Sequence, residues 1–430
     1  MMKDSMRFIL KNFGCINDAE LDIGKITVVG GHNSTGKSSA AKLLFSFLKA
    51  NSSKRRELAI ETITREIRQL LFLFNDYSRI DKDNSFHIHS SKTFFELYSE
   101  LDRDNLLKSK LDVYDYLKDV YSKLGITNGF KEEFDNNFKK IDDLIDTINE
   151  DSFPLYISIM KKLLRSEFSS LDKGMAKLEG TFKDLPYEFL IDFDKYDSGN
   201  DAFSYFGGFS ITDVFYIDSA SALDLSQTFG LQNTDHFRFL EEYLRPQSDE
   251  STALFDEKIN ENIINIEKEI RKIIKGQFRY KNEELYFIQE DGGEFLMKNT
   301  ASGIKEIGII QMLLAHRKLK DNCFLIIDEP EVNLHPKWQV KFAEILVLLA
   351  KRLNIQIYIN SHSPMFIESI SIFSEYYNLK EDTNFYLTDR KDKILTFTKI
   401  ANDDMGAVYD NLAKPYGELD KINAKLSYRM

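Results

Sequence analysis

Residues 31–38 read Gly31-His32-Asn33-Ser34-Thr35-Gly36-Lys37-Ser38, a spacing that suits one task, the holding of a polyphosphate. Gly31 and Gly36 free the backbone to curl, so that the N–H groups of Asn33, Ser34 and Thr35 converge on one anion-sized hollow. Lys37 reaches the β- and γ-phosphates, and the Ser38 hydroxyl is placed to ligate Mg²⁺. Ser39 follows in the first turn of a helix whose N-terminus adds partial positive charge. The flanks agree. Lys25-Ile26-Thr27-Val28-Val29 is a β-branched run that enters the loop as a strand, and Ala41, Leu44, Phe45 and Leu48 form a helical stripe after it. The expected ligands are a nucleoside triphosphate and Mg²⁺.

A second set of chemically able residues lies about three hundred positions on. Phe324-Leu325-Ile326-Ile327-Asp328-Glu329 is an apolar strand that ends in two acids, and in open α/β sheets ligands bind at the carboxyl ends of buried parallel strands. Asp328 is placed to hold Mg²⁺, and Glu329 to orient or deprotonate an attacking water. The next strand, 355–359, runs into Asn360-Ser361-His362-Ser363-Pro364. This sets His362 within reach of a γ-phosphate if the two strands are neighbours.

These three loops need a parallel sheet to bring them together, and the chain is long enough to build one. Its 430 residues allow two or three domains or lobes; 43% are hydrophobic, 29% are charged and only seven are prolines. The net charge of −12 argues against a nucleic-acid binder that works by overall charge, though a local basic groove is compatible with it. Cys15 and Cys323 lie in apolar runs and read as buried small side chains, not as a disulfide or metal pair. With no apolar leader at the N-terminus and no apolar run long enough for a bilayer, the expectation is a soluble, cytoplasmic protein without membrane contact.

In chain order, residues 1–49 read as strands Arg7–Lys11, Ala19–Ile23 and Ile26–Val29, then the phosphate loop and its helix; Asn12 and Phe13 could lie near a bound base, or in a plain edge strand. Residues 50–208 are expected to form a helical insertion. Its stripes are Ile60, Ile63, Ile67, Leu70, Leu71 and Phe74; Phe138, Ile141, Leu144, Ile145 and Ile148; and Ile159, Met160, Leu163, Leu164, Phe168 and Leu171. No strict heptad persists, so a bundle is expected and not a long coiled coil; breaks fall at 85–99 and 125–129. In 209–298, Val214–Ile217 returns to the sheet, 234–275 is helical, and 277–297 holds three short strands with a turn at Asp291-Gly292-Gly293. Residues 299–400 complete the nucleotide lobe, and 401–430 form a tail.

Taken together, the loop at 31–38, the string Asp328-Glu329-Pro330-Glu331-Val332-Asn333-Leu334-His335-Pro336 and Ser361-His362-Ser363-Pro364 resemble the ABC/SMC-type ATPases. The resemblance is to the branch that includes OLD-type proteins and prokaryotic anti-phage ATPase subunits. It covers mainly 6–48 and 299–400 and implies an α/β P-loop fold with a large helical insertion between the phosphate loop and the signature and Walker B half. It also gives meaning to Asn299-Thr300-Ala301-Ser302-Gly303. By analogy, Ser302 and the N–H of Gly303 would contact the γ-phosphate bound to an opposite subunit; read alone, Ser302 is a helix N-cap. The segment departs from the transporter form of the signature, and no glutamine can be assigned to the family's Q-loop.

What the resemblance implies is an ATPase that sandwiches two ATP molecules in a dimer, with Glu329, His362 and Lys37 as catalytic groups. Its expected role is that of a sensor or scaffold that controls a separate effector, a nuclease or toxin, in anti-phage defence. A Toprim nuclease domain is not expected, since fewer than seventy residues follow His362 and Asp403-Asp404 alone is a poor metal set. The tail, with Tyr409, Leu412, Tyr416 and Leu419, suits either a docking segment or packing onto the lobe. The alternative is an SMC/RecF-like ATPase that acts on DNA directly, through patches such as Lys161-Lys162 with Arg165, or Arg271-Lys272 with Lys275 and Arg279.

Overall fold

The computed structural model describes residues 4–80, 94–102, 107–123, 126, 128–148, 153–171, 173–209, 211–218, 234–244, 257–281, 284–391, 394–401, 404–412, 419, 421–422 and 425. The chain divides into two compact units, Ser53–Lys162 and the remainder.

The larger unit is built on an eleven-stranded sheet. Strands β1 (Ser5–Phe13) and β2 (Ile16–Asp22) form a hairpin, and β3 (Ile26–Gly30) leads into helix α1 (Lys37–Ala50). Strands β4 (Met175–Phe182), β5 (Leu185–Asp192) and β6 (Phe203–Phe206) extend the sheet beyond β1, antiparallel throughout. The other end is parallel. Strand β12 (Gln356–Ser361) lies between β3 and β11 (Phe324–Asp328), and β7 (Val214–Ile217) closes the edge beside β11. Strands β13 (Thr383–Lys391) and β14 (Ile394–Ile400) bridge the two halves. Every residue of β3, β7 and β11 is buried, as the uninterrupted apolar runs require of strands covered on both faces.

Around the sheet pack α7 (Asp235–Leu244), α8 (Glu257–Ile274), α9 (Ser302–Ala315), α10 (Pro336–Arg352) and α11 (Pro364–Tyr376). A separate three-stranded sheet joins β8 (Gly276–Lys281), β9 (Glu284–Gln289) and β10 (Glu294–Leu296). A methyl group on Gly308 of α9 would come within 2.0 Å of the Phe278 ring of β8, so this helix can approach the small sheet only with glycine there. Helix α12 (Met405–Leu412) packs on the unit: Val408 is buried and the Tyr409 hydroxyl donates to Glu368 Oε2 at 2.6 Å. Leu419 is exposed, and Tyr416 lies outside the described residues.

The smaller unit is helical: α2 (Arg55–Ile80), α3 (Phe94–Asp102), α4 (Leu107–Lys123), α5 (Asn128–Ile148) and the start of α6 (Phe153–Glu167). Ile63, Ile67, Leu70, Leu71 and Phe74 are buried along α2 as their spacing predicts. Phe74 meets Phe134 at 4.6 Å between ring centroids, and Tyr121 meets Phe138 at 4.9 Å.

Several expectations need correction. The helical character expected of 50–208 stops at Glu167, because 175–192 alternates: Ala176, Leu178, Tyr187, Phe189 and Ile191 are buried while Lys177, Glu179 and Glu188 point outward. The break expected at 85–99 is already helix from Phe94, and its first part lies outside the described residues, as do Gly125 and Thr127. Cys323 is buried but Cys15 is exposed, since it occupies the two-residue turn between Phe13 and Ile16, which are paired. Phe13 is buried at 4% exposure against Phe168 and Phe193 and cannot stack on a base.

Lys49, at the end of α1, reaches Asp213 Oδ1 at 2.6 Å and the Tyr243 hydroxyl at 2.7 Å, with both ions nearly inaccessible. Removing one member of a buried pair strands the other charge. Lys49→Ala is therefore expected to cost about 3–5 kcal/mol in urea unfolding, with partial recovery when Asp213→Asn is added. A cost below ~1 kcal/mol would show that the pair is not desolvated.

Candidate active site

Three strand ends converge because β12 lies between β3 and β11. The register sets Ser361 opposite Gly30 and Asn360 opposite Asp328, so one strand touches both the phosphate loop and the acidic end. The loop is tied in by Gly31 N–H to Ser361 O at 3.2 Å. Thr388 of β13 donates to Thr35 Oγ1 at 2.9 Å, and its Oγ1 would stand 1.7 Å from any Cβ on Gly31. Gly36 has φ +75° and caps α1, a left-handed backbone that favours glycine.

Lys37 is 4% exposed, and its ammonium donates to the carbonyls of Gly31 and His32, each at 2.8 Å. Burial lowers its pKa, and the fields of Glu329, Asp328 and Glu331 partly offset this. Asn33, Ser34 and Ser38 are exposed, whereas Thr35 is buried and Ser39 half-buried.

Asp328 is 8% exposed, and both its oxygens accept: Oδ2 from the Tyr216 hydroxyl at 3.2 Å and Oδ1 from Asn360 Nδ2 at 3.0 Å. Glu329 follows in a left-handed conformation, φ +56°, with its N–H bonded to Asn360 O at 2.9 Å. The two neighbouring glutamates are in unlike positions. The Glu329 side chain is 34% exposed and that of Glu331 only 3%. Glu331 Oε1 accepts from Ser361 Oγ at 2.8 Å, His362 N–H at 2.6 Å and Ser363 N–H at 3.0 Å. Burial raises the Glu331 pKa, and these donors work against that rise. His362 Nδ1 lies 3.1 Å from Glu331 and 3.6 Å from Glu329 without hydrogen-bond geometry to either. Gln339 Nε2 donates to Leu334 O at 3.1 Å while its Oε1 accepts from Ser363 Oγ at 3.0 Å, linking the turn after the acids to the loop of His362.

Lys37, Asp328, Glu329 and His362 thus come together as the sequence suggests. Ser302 is the first residue of α9, and the cap is Ala301, not Ser302. The nearest neighbours of a Cβ on Gly303 would be Leu334 Cδ2 at 2.7 Å and Asn333 O at 2.8 Å, so the start of this helix is set against the turn beyond the acids. Sequence reasoning missed Glu331, Asn360, Tyr216 and Thr388. It also missed His236, which is buried between Glu167 Oε2 at 2.6 Å and Asp218 Oδ2 at 3.1 Å, with its ring 4.6 Å from that of Tyr216. Asp218 directly follows an apolar buried strand, the same signal that singled out Asp328.

The site accommodates Mg²⁺ with nucleotide. Three carboxylates act on one lysine here, so a triphosphate would meet net repulsion without a divalent cation. Among the described residues no group of three His, Cys, Asp or Glu could hold a metal. Ser38 and Asp328 are the residues that would hold Mg²⁺. Glu331 Oε2, Asn360 Oδ1 and His362 Nδ1 are buried without a hydrogen-bond partner, leaving polar capacity for bound water or ligand.

This topology and these strand ends define a P-loop ATPase fold of ABC/SMC type. The chain belongs to the family described as AAA ATPase domain, whose profile matches residues 6–367. Among solved structures it is similar to the SMC head domain from Thermotoga maritima, at 9% identity and TM-score 0.40, covering 93% of this chain and 99% of that one. It is also similar to an Smc head bound to the C-winged helix domain of ScpA, at 10% identity and TM-score 0.37, covering 93% and 98%. A third is the Smc head with an extended coiled coil bound to the C-terminal domain of ScpA derived from Pyrococcus furiosus, at 9% identity and TM-score 0.35, covering 97% and 98%. No curated protein matches. Among the described residues, no helix is long and apolar enough to cross a membrane.

For His236, burial alone would lower the pKa, but the hydrogen bonds its ring donates to Asp218 and Glu167 outweigh burial and raise the value to about 9. A raised imidazole pKa stabilises the fold fully below its ordinary 6.5, and that stabilisation is lost as pH rises through 9. Its size is on the order of 3 kcal/mol. Melting curves should therefore show wild type losing more stability between pH 7 and pH 10 than His236→Gln loses. Equal losses would mean that the native imidazole is neutral.

Proposed function

We propose that this chain binds and hydrolyses ATP, dimerises around it, and serves as a cytoplasmic sensor or scaffold that controls a separate effector, a nuclease or toxin, in prokaryotic anti-phage defence. The observation that carries the reading is the convergence of Lys37, Asp328, Glu329 and His362 on the carboxyl ends of adjacent parallel strands. The defence role rests on the motif resemblance to OLD-type ATPases and is the finer part of the proposal.

In this reading the backbone of residues 31–38, with Ser39, cradles the phosphates, and Lys37 exchanges its two carbonyl partners for β- and γ-phosphate oxygens. Bound Mg²⁺ would neutralise phosphate charge between Ser38 and Asp328. The half-exposed Glu329 orients and deprotonates the attacking water, while Glu331, whose Oε1 is bonded to the His362 loop, is a positioning residue. His362 and Lys37 face the charge that develops on the γ-phosphoryl group. Ser302 and the N–H of Gly303 are offered to the nucleotide of the opposite protomer. Helix first turns leave such N–H groups without an intrahelical partner.

Mass photometry and phosphate release test this together. ATP should convert wild type to dimers with turnover. Glu329→Gln should lower turnover about a hundredfold or more while the dimers persist, and Lys37→Ala should abolish both. An assembly state indifferent to ATP, with no turnover, would reduce nucleotide to a static component and sink the switch.

A further inference from the structure

On an acidic chain, one cleft of about 720 Å³ is rimmed by cations: Lys268, Lys272, Lys275, Lys337, Lys341 and Arg352. It lies between α8 and α10. Lys268 and Lys272 recur at helical spacing on α8, Lys275 follows just beyond its end, and Lys337 and Lys341 recur at the same spacing on α10. Only Glu269 and Glu344 are acidic, and they pair with Lys272 and Lys341 at 2.8 Å each; the Glu269–Lys272 pair is on exposed surface and opens at little cost, whereas Glu344 is 23% exposed. Lys268, Lys275, Lys337 and Arg352 make no ion pair among the described residues. Like charges collected in this way repel one another in the empty cleft and are relieved by an anion.

The floor narrows the class of anion. Its apolar lining is Ile273, Ile345 and Leu348, with Trp338 and Tyr377 also lining the cleft. The Tyr377 ring is held by its hydroxyl, which donates to Glu344 at 3.0 Å, and Trp338 is half-buried. A simple oxyanion leaves the apolar lining uncovered. Duplex DNA keeps its bases stacked inside, so it would meet the cations through phosphates and leave the rings unused. Unpaired bases on a polyanionic backbone use every part: phosphates against the rim, bases against the rings and floor.

We propose that this cleft binds single-stranded nucleic acid through lysine–phosphate contacts, with a base stacked on Trp338. The inference goes beyond the ATP-switch reading and stands independently of it, since no residue of the nucleotide site lines the cleft.

Trp338 is the chain's only tryptophan, so its emission reports on this place alone. Titrating the full chain, without ATP, with an oligothymidylate of about 12 nucleotides should quench it saturably. Four unpaired cations predict a slope of log affinity against log salt of roughly −3. Lys268→Glu with Lys275→Glu, both exposed, should weaken binding at least ~10-fold and flatten the slope while basal ATP turnover is unchanged. Trp338→Phe, followed with a labelled oligonucleotide, should lose about fivefold or more. Lys37→Ala should bind the oligonucleotide as wild type does, which separates this result from any failure of the ATP reading. Absence of quenching, wild-type affinity in the double lysine variant, or equal or tighter binding of polyglutamate or of duplex DNA would each overturn the proposal.

Discussion

One carboxylate oxygen holds the nucleotide site in shape. Glu331 Oε1 takes three hydrogen bonds, from Ser361 Oγ and from the N–H groups of His362 and Ser363, and thereby pins the end of β12 to the turn that follows β11. Since β12 also pairs with β3, the same anchor locates His362 relative to the phosphate loop. The second oxygen of Glu331, Oε2, is buried without a hydrogen-bond partner, while Glu329, two residues earlier, is far more exposed. Two glutamates of identical chemistry thus stand in unlike surroundings, one buried and bonded to the His362 loop, the other open to water.

Electrostatics and geometry meet at Asp328. Its oxygens are held by an amide and a phenol, neutral donors that orient the carboxylate while leaving its charge for a cation. The phenol belongs to Tyr216, whose ring lies against His236, itself fixed between two acids. Order around the acidic strand therefore extends to the sheet edge through packed rings and buried ions, a path with few loose members.

Much of the site was legible in the sequence because it is encoded locally. The phosphate loop is one contiguous string, and each acidic or histidine end follows a strand that its own apolar run betrays. The strands β1–β3, β7, β11 and β12 could be read for the same reason. What stayed hidden depends on register and on distant partners. Glu331 becomes an anchor only when β12 is known to lie beside β11, and Thr388 abuts Gly31 only because β13 pairs with β3. Over 175–206 the lysine- and glutamate-rich composition of the preceding helices continues while the apolar period changes to two, so composition hides the strands. Cys15 is exposed in a two-residue turn that the apolar strands on either side mask.

The contact of Gly303 with Asn333 and Leu334 has a consequence for how the site could signal. A contact with no room for one methyl group is a steric stop: the turn after the acids cannot press closer to the first turn of α9 without displacing it. Hydrogen bonds and ion pairs in the nucleotide site weaken or exchange as salt and pH change, but close packing of uncharged atoms does not. Displacement of the acidic turn would thus reach the face that α9 presents through a linkage largely indifferent to the ionic conditions around it.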